Sequence, residues 1–277
     1  MMCRQKNPLT NCTIPLIMLG MPVIAISSRD NPHIKTAVRL RDSDRCAPGR
    51  FFLEGFRLCT DALASGYAPE QMFLTAQARE KYETAPLEQA AAQTFEITES
   101  VAEKLGDTRS PQGVFGVFQM QDARCKMQDF FWASGRYIAL ENVQDPGNLG
   151  AIARTAEALG MAGLLVSGGC GVFHPKALRA SMGALLRLPV MQTQDLPTEL
   201  RICGLPCYAA VPDRDAQSVL DCDFTQGGVI VIGSEAHGLS SEAIDACERK
   251  ITVPMPGRAE SLNAAAAATI LMWEFRR

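Results

Sequence analysis

Residues 228–240 read GVIVIGSEAHGLS, and the expected fold is organised around this stretch. The run from Val229 to Ile232 is apolar throughout, which is typical of a parallel strand buried on both faces. The run stops at Gly233, and Gly238 follows in the same loop. Ligands of open α/β sheets bind beyond the carboxyl ends of strands, where glycine lets backbone amides approach a ligand closely. The stretch therefore predicts an α/β domain with a binding site at the end of this strand.

Further strands and helices alternate around this stretch over residues 136–277. The predicted strands are Arg136–Glu141, Leu164–Val166, Cys207–Val211 and Ile251–Val253. The predicted helices run from Leu149 to Leu159 with Asn148 as the cap, from His174-Pro175 through Leu185, and from Leu262 to Phe275. This alternation predicts a parallel sheet that is covered by helices on both faces.

The amino-terminal half predicts a second, smaller α/β domain over residues 27–120. Asn31-Pro32 can open its first helix. The remaining predicted elements are the strands Phe51–Leu53, Met72–Thr75, Phe95–Ile97 and Gly113–Met120 and the helices Glu54–Ser65, Lys81–Gln93 and Val101–Leu105. Residues 1–26 are expected to be a tail without function, and residues 121–135 a linker to the second domain, residues 136–277.

Composition is that of an ordinary globular chain, with 277 residues, 47% hydrophobic and 21% charged. The net charge of −3 does not by itself indicate a nucleic-acid binder. The charge is unevenly distributed, because residues 1–50 carry eight Lys or Arg and three Asp, whereas residues 201–250 carry four Lys or Arg and eight Asp or Glu. A basic amino-terminal part favours a phosphate-facing module, and a chance excess of surface charge is the alternative.

Ten cysteines are spread along the chain without a CxxC pair or a His/Cys ligand cluster, so no metal site is expected. Unpaired thiols in this number favour a reducing compartment, and we expect a cytoplasmic protein. The apolar run from Ile14 to Ile26 is interrupted by Pro15 and Pro22 and is too short to span a bilayer. No membrane association is therefore expected, with a signal peptide as the weaker alternative.

Common cofactor and catalytic patterns are weakly supported. The loop Gly168-Gly169-Cys170-Gly171 is not GxGxxG, which argues against a Rossmann dinucleotide site. The sequence has no Walker lysine, and its three histidines do not define a Ser/His/Asp triad.

Three segments taken in order carry a more specific signal: LENVQDPGNLGAIARTAEALG at 140–160, the stretch at 228–240, and ITVPMPGRAESLNAAAAATILMWEF at 251–275. Together they resemble the three motifs of the SpoU/TrmH family of RNA ribose 2′-O-methyltransferases. The positions that match the family's catalytic residues are Asn148, Arg154, Glu235, Ser261 and Asn263. The resemblance implies S-adenosylmethionine as the cofactor, bound at Gly233, Val253 and Leu262 with Ile232 and Met255 as wall residues.

The resemblance also implies roles. A ribose 2′-hydroxyl attacks the sulfonium methyl group in line, so the site must orient the hydroxyl and accept its proton. Arg154 is the family's candidate for activating the hydroxyl, and because a guanidinium stays protonated, we expect it to hold an RNA phosphate and polarise the hydroxyl. Asn148, Ser261 and Asn263 would align the ribose and Arg154, while Glu235 would fix its loop or pair with Arg154. Taken alone, Asn148 and Ser261 are each better explained as helix caps.

Residues 27–120 resemble the RNA-binding domain that precedes the catalytic domain in many SpoU-type enzymes, through Asn31-Pro32-x-Ile34-Lys35, Phe52-Leu53-Glu54-Gly55 and Ser110-Pro111-Gln112-Gly113. Arginine's planar fork suits phosphate oxygens, so basic residues here are candidate RNA contacts. The candidates are Arg29, Lys35, Arg39, Arg41, Arg45, Arg50 and Arg57, and the alternative for each is a solvated side chain. Glu54 is expected to have a structural role.

The family resemblance further implies a deep trefoil knot and a homodimer that packs near the cofactor site. Ribosomal RNA is favoured over transfer RNA as the substrate. Three alternatives stay open at this point: a tRNA ribose methyltransferase, an inactive RNA-binding or ribosome-assembly relative, and a base-methylating enzyme of the wider knotted superfamily.

Overall fold

The structure is a computed structural model that describes residues 23–43, 49–120, 132, 134–213 and 215–277. The candidate RNA contact Arg45, most of the predicted tail and most of the predicted linker lie outside the described residues. Two sheets, each flanked by helices, account for the described chain.

The first sheet is mixed and lies within residues 24–119. Its strands are β1 (Ile24–Ile26), β2 (Arg50–Glu54), β3 (Pro69–Leu74), β4 (Gln93–Ile97) and β5 (Val114–Gln119). They are ordered β1-β4-β3-β5-β2, with β5 antiparallel to both β3 and β2 and the remaining pairs parallel. The accompanying helices are α1 (Pro32–Arg41), α2 (Phe56–Ala64), α3 (Ala76–Lys81), α4 (Ala85–Ala90) and α5 (Glu99–Leu105).

Helix α1 begins as the sequence predicts. The Asn31 side chain accepts a hydrogen bond from the backbone N–H of His33, and Pro32 occupies the first turn, where its missing N–H costs nothing. The single helix predicted over Lys81–Gln93 is wrong, because α3 ends at Lys81 and α4 begins at Ala85. Pro86 explains the break, since a proline inside a helix removes a hydrogen bond and clashes with the carbonyl four residues earlier.

The second sheet is parallel throughout, as predicted. Its strands are β6 (Arg136–Glu141), β7 (Gly163–Ser167), β8 (Val190–Thr193), β9 (Cys207–Ala210), β10 (Gln217–Ser218), β11 (Gly228–Ile232) and β12 (Arg249–Thr252). The order is β10-β12-β9-β11-β6-β7-β8, and each pairing is parallel. Its helices are α6 (Pro146–Ala158), α7 (Pro175–Ala180), α8 (Ala184–Arg187), α9 (Leu196–Ile202), α10 (Ser241–Asp245) and α11 (Ala264–Phe275).

Two features of this domain differ from the sequence prediction. The helix expected from His174-Pro175 through Leu185 is interrupted between α7 and α8, where Met182 has φ 51° and Gly183 has φ 83°. Left-handed residues end α-helices, so one helix becomes two. Strands β8 and β10 and helices α9 and α10 were not predicted, because their short, mixed segments carry no clear periodicity.

A continuous apolar core joins the two sheets. Phe51 of β2 packs against Phe173 of the loop before α7, with ring centroids 4.8 Å apart. Charged pairs flank this contact: Arg187 donates to Asp61 over 2.9 Å, and Arg179 pairs with Asp107. The side of the first sheet that carries α2 therefore faces the second domain, while α1 and α5 cover the opposite side.

No helix among the described residues combines the length and the apolar character needed to cross a membrane. The strand order alone does not define how the last helix threads the chain, so the trefoil knot stays a prediction.

Candidate active site

The central strand β11 ends at a cavity on the carboxyl edge of the second sheet. All five residues of β11 are buried, and Ile232 pairs with Ala210 at the end of β9. The same Ala210 pairs with Ile251 of β12, so three strand ends meet here. They open into a cavity of about 520 Å³.

The loop after β11 closes tightly on Gly233. Ser234 and Gly238 exchange two backbone hydrogen bonds, of 3.1 and 2.9 Å. A Cβ atom at Gly233 would lie 2.1 Å from the carbonyl carbon of Gly238. Only glycine permits this approach, which turns the backbone of the loop towards the cavity.

The five residues predicted to bind the cofactor all line this cavity: Ile232, Gly233, Val253, Met255 and Leu262. Glu235 and Ser261, predicted as catalytic, line it as well. Sequence reasoning missed other lining residues, namely Ala210, Val211, Pro212, Leu239 and Ile244. Ala210 and Val211 end the predicted strand Cys207–Val211 and Pro212 follows it, so the position of this strand beside β11 was the missing information.

Asn148 lies at the entrance to this region and joins the three motifs. Its Nδ2 donates to Oε1 of Glu235 over 2.5 Å, and its Oδ1 accepts from Nδ2 of Asn263 over 3.1 Å. The two bonds together define the orientation of the amide, because the donor faces a carboxylate and the acceptor faces another amide donor. Three side chains, one from each motif, therefore meet at Asn148.

The prediction that Asn148 caps its helix is wrong. Asp145 is the N-cap of α6, where its carboxylate accepts from the N–H of Gly147 over 2.7 Å. Pro146 occupies the first helical position, a favourable site for proline, and this moves the helix start three residues upstream. Asn148 then falls in the first turn, where its side chain is free to reach Glu235.

Asn263, rather than Ser261, caps the last helix. Its Oδ1 accepts from the N–H groups of Ala265 and Ala266, at 3.0 and 3.3 Å. Its Nδ2 remains available for Asn148, so one side chain anchors α11 and supports the site. Ser261 is exposed at the cavity rim and is not used as a cap.

Arg154 is not brought to this network. It lies on the solvent-facing side of α6, and within the described parts of the chain it forms no hydrogen bond or ion pair. The side of α6 that carries Gly150 instead packs on α7, since a Cβ there would lie 2.5 Å from the carbonyl oxygen of Ala177. A guanidinium that faces outward can act only on a molecule that approaches this surface.

Charge near the entrance is set by carboxylates. The N–H of Gly147, and then Lys176 at 3.1 Å, lower the pKa of Asp145 below its usual value. Burial raises the pKa of the Cys170 thiol to about 11, so this thiol is protonated at neutral pH.

Within the ranges that the structure covers, no group of His, Cys, Asp and Glu side chains is arranged to hold a metal ion.

The predicted RNA contacts separate into two groups. Arg29, Lys35, Arg39 and Arg57 are exposed. Nη1 of Arg41 instead donates to the carbonyls of residues 104, 105 and 106, at the end of α5, and Arg50 pairs with Glu70 over 3.2 Å. Arg41 therefore supports the end of a helix, a structural task that leaves little of its charge for RNA.

Glu54 has the structural role expected for it. Its carboxylate is buried and accepts from the N–H of Asp107 over 2.9 Å and from the hydroxyl of Thr108 over 2.5 Å. Gln112 accepts from the N–H of Phe56 over 3.1 Å. The two short motifs at 52–55 and 110–113 are thus joined in space.

Comparison with known proteins gives two family matches. Residues 135–273 match the SpoU rRNA Methylase family, and residues 31–116 match the MRM3-like substrate binding domain. An uncharacterized tRNA/rRNA methyltransferase of Synechocystis is 33% identical, over 94% of this chain and 96% of that protein. A 23S rRNA (uridine(2479)-2′-O)-methyltransferase of Streptomyces viridochromogenes is 32% identical, over 83% of each chain.

A solved structure shares the whole architecture. The AdoMet-bound rRNA methyltransferase from Sinorhizobium meliloti superposes with a TM-score of 0.77 at 29% identity, covering 92% of this chain and 97% of that one. The similarity therefore extends over both domains, beyond the three motifs.

Proposed function

The chain belongs to the SpoU rRNA methylase family, and from this membership and the site we propose that it methylates a ribose 2′-hydroxyl of large-subunit ribosomal RNA with S-adenosylmethionine as methyl donor. The observation that carries the proposal is the junction of Asn148, Glu235 and Asn263 beside the cavity at the end of β11.

The cavity suits the cofactor in size and chemistry. About 520 Å³ lies within the range of ordinary small-molecule pockets. Apolar walls from Ile232, Val253 and Met255 can enclose an adenine ring, and the backbone of the loops at 233–239 and 252–262 supplies hydrogen bonds to it. When bound, S-adenosylmethionine supplies an electrophilic methyl group.

The protein's own side chains orient the nucleophile. The amide of Asn148 is held by Glu235 and Asn263, so it presents a defined edge where the ribose must enter. We propose that the guanidinium of Arg154 holds an RNA phosphate and polarises the 2′-hydroxyl. Ser261, exposed at the rim, would align the ribose.

Ribosomal RNA is supported as the substrate by both domains. The Streptomyces relative is named for 23S rRNA, and the match over its sequence covers 83% of each chain. The division into a substrate-binding domain at 27–120 and a catalytic domain at 136–277 is a proposal that the two separate sheets support. Exposed Arg29, Lys35 and Arg39 are the proposed phosphate contacts of the first domain.

We propose a homodimer that is built on the outer surfaces of α6 and α11. Ile270 and Trp273 of α11 are exposed by 38% and 50%, one turn apart on a helix that packs beside α6. Exposed apolar side chains at this spacing favour a protein interface. A second copy on this surface would cover Arg154 and bring it to the active site of that second copy.

A cytoplasmic location is also proposed. The cysteines of the described residues are free thiols, which suits a reducing compartment, and a ribosomal RNA substrate is found there.

The test is to map ribose methylation at each position of rRNA and tRNA in cells with and without the gene. Loss of one 2′-O-methyl group in 23S-type rRNA is the expected result. Loss in tRNA, or loss of a methylated base, would support the alternatives instead. Calorimetry with S-adenosylmethionine separates an enzyme from an inactive relative, since an inactive RNA-binding protein would show no binding heat.

A further inference from the structure

A second cavity, of about 750 Å³, lies on the other side of the loop that follows β11. Residues 234–239 line both cavities and so form the wall between them. The first cavity lies towards β9 and β12, whereas the second lies towards β6, the strand on the other side of β11. The residues unique to the second cavity are Glu141, Asn142, Gln144, Asp145, Asn148 and Ser240.

The lining of this cavity does not suit a phosphate group. It contains the carboxylates of Glu141, Asp145 and Glu235 and no lysine or arginine. Both oxygens of Glu141 are occupied, because they accept from the N–H and the hydroxyl of Ser240 at 2.7 and 2.6 Å. An uncharged ligand with its own donors and acceptors fits such a lining better than an anion does.

Gln144 is an exposed amide of this cavity whose hydrogen-bonding groups are unused. Throughout the described part of the chain, no protein group bonds to its side chain. An amide carries both donors and an acceptor, which is the chemistry that proteins use to recognise the edges of bases.

The loop that carries Gln144 lies in close backbone contact with the glycines at 168–171. Gly168 and Gly169 have φ 65° and 73°, and a Cβ at Gly169 would lie 2.2 Å from the carbonyl oxygen of Val143. That same oxygen accepts from the N–H of Cys170 over 3.0 Å. Glycine is therefore required at position 169 for the two loops to come this close, and the contact positions Val143, the neighbour of Gln144, at the cavity.

We propose that the second cavity receives the base of the nucleotide whose ribose is methylated, and that Gln144 contacts an edge of that base. The inference rests on the proposed function. Asn148 lines only the second cavity, so a ribose that meets its methyl donor at the edge of the 234–239 wall has the second cavity as the adjacent space for its base. Bases that leave a stack are recognised by hydrogen bonds to their edges, as the free amide allows.

The test compares Gln144→Ala with the matched variant Gln192→Ala. Gln192 is an exposed glutamine of β8, the edge strand of the same sheet. Methyl transfer from S-adenosylmethionine is measured against total ribosomal RNA extracted from cells that lack the gene. Calorimetry measures the affinity of each variant for S-adenosylmethionine.

For Gln144→Ala the KM for RNA should rise roughly three- to tenfold, the effect of one neutral hydrogen bond, with little change in kcat. Cofactor affinity should stay that of the wild type, and Gln192→Ala should match the wild type throughout. An unchanged KM for Gln144→Ala overturns the inference, as does a loss of cofactor binding, because the two cavities would then not be separate sites. If the wild type itself transfers no methyl group to this RNA, the proposed function fails instead.

Discussion

Asn148 and Glu235 lie 87 residues apart in the chain and share a hydrogen bond of 2.5 Å. The bond joins the first turn of α6 to the loop after β11. Because Asn263 donates to the other end of the same amide, the bond has one direction: Asn148 donates and Glu235 accepts. The site therefore depends on an amide at position 148, and a carboxylate of the same shape cannot replace it.

Asn148→Asp should lower kcat about a hundredfold, because it sets two carboxylates against each other and displaces the ribose from its in-line position. S-adenosylmethionine affinity should change little, since Asn148 does not line the first cavity. Single-turnover transfer and calorimetry measure the two quantities. Gln192→Glu, which adds the same charge on an edge strand, should behave as the wild type; equal activity of Asn148→Asp would remove this junction from the mechanism.

Arg154→Ala should nearly abolish transfer, because the proposed contact with the RNA phosphate and the 2′-hydroxyl is lost. Cofactor binding should stay intact, because Arg154 does not line the first cavity. Arg201→Ala, an exposed arginine at the end of α9, is the control and should be fully active.

Mixing Arg154→Ala with Ser261→Ala tests whether the residues of two subunits share a site. If Arg154 serves the partner's site, each mixed dimer has one intact site, and random mixing restores about a quarter of the wild-type rate. A mixture as inactive as its parents would place Arg154 in the site of its own subunit.

Ile270→Glu combined with Trp273→Glu should convert the proposed dimer into monomers, because two charges would be buried without partners in an apolar interface. Sedimentation velocity measures the change. Ile202→Glu is the matched control, since Ile202 is 67% exposed on α9, on the other face of the sheet. A wild type that sediments as a monomer would contradict the proposed interface directly.

Arg39→Ala and Arg41→Ala should differ although the two residues are close in sequence. Arg39 is exposed, so its loss should weaken RNA binding and reduce the slope of log affinity against log salt by about one. Arg41 holds three carbonyls, so its loss should lower the free energy of unfolding by about 1–3 kcal/mol. Salt titrations of RNA binding and urea unfolding measure the two effects separately. Weaker RNA binding for Arg41→Ala and lower stability for Arg39→Ala would contradict the assignment.

Asp145→Ala should destabilise the fold by about 1 kcal/mol at neutral pH, the usual effect of losing an N-cap. Gly147 and Lys176 lower the pKa of Asp145, so this stabilisation is present above the unfolded pKa of about 4 and is lost as the pH falls through the lowered folded pKa. Urea midpoints at several pH values should converge for the two proteins in acid. Asp145→Asn, which keeps the cap, is the control. A difference in urea midpoint between the wild type and Asp145→Ala that persists in acid would point to another cause.

Local sequence patterns were enough to predict the parallel sheet, the order of the three motifs and the apolar walls of the cofactor cavity. These depend on local patterns, since a continuous apolar run followed by glycine specifies both a buried strand and the site at its end. The family resemblance had the same local basis, and the matches over 31–116 and 135–273 bear it out.

The roles of several of these side chains depend on contacts that form only in the folded chain. Asn148 and Asp145 are both good caps, and the choice between them depended on Pro146 and on Glu235, 87 residues away. Arg41 was predicted to contact phosphate, but its guanidinium donates to a carbonyl at the end of α5. The second cavity exists because β6 and β11 are neighbours in the sheet, and a side chain's role follows from neighbours that sequence distance does not reveal.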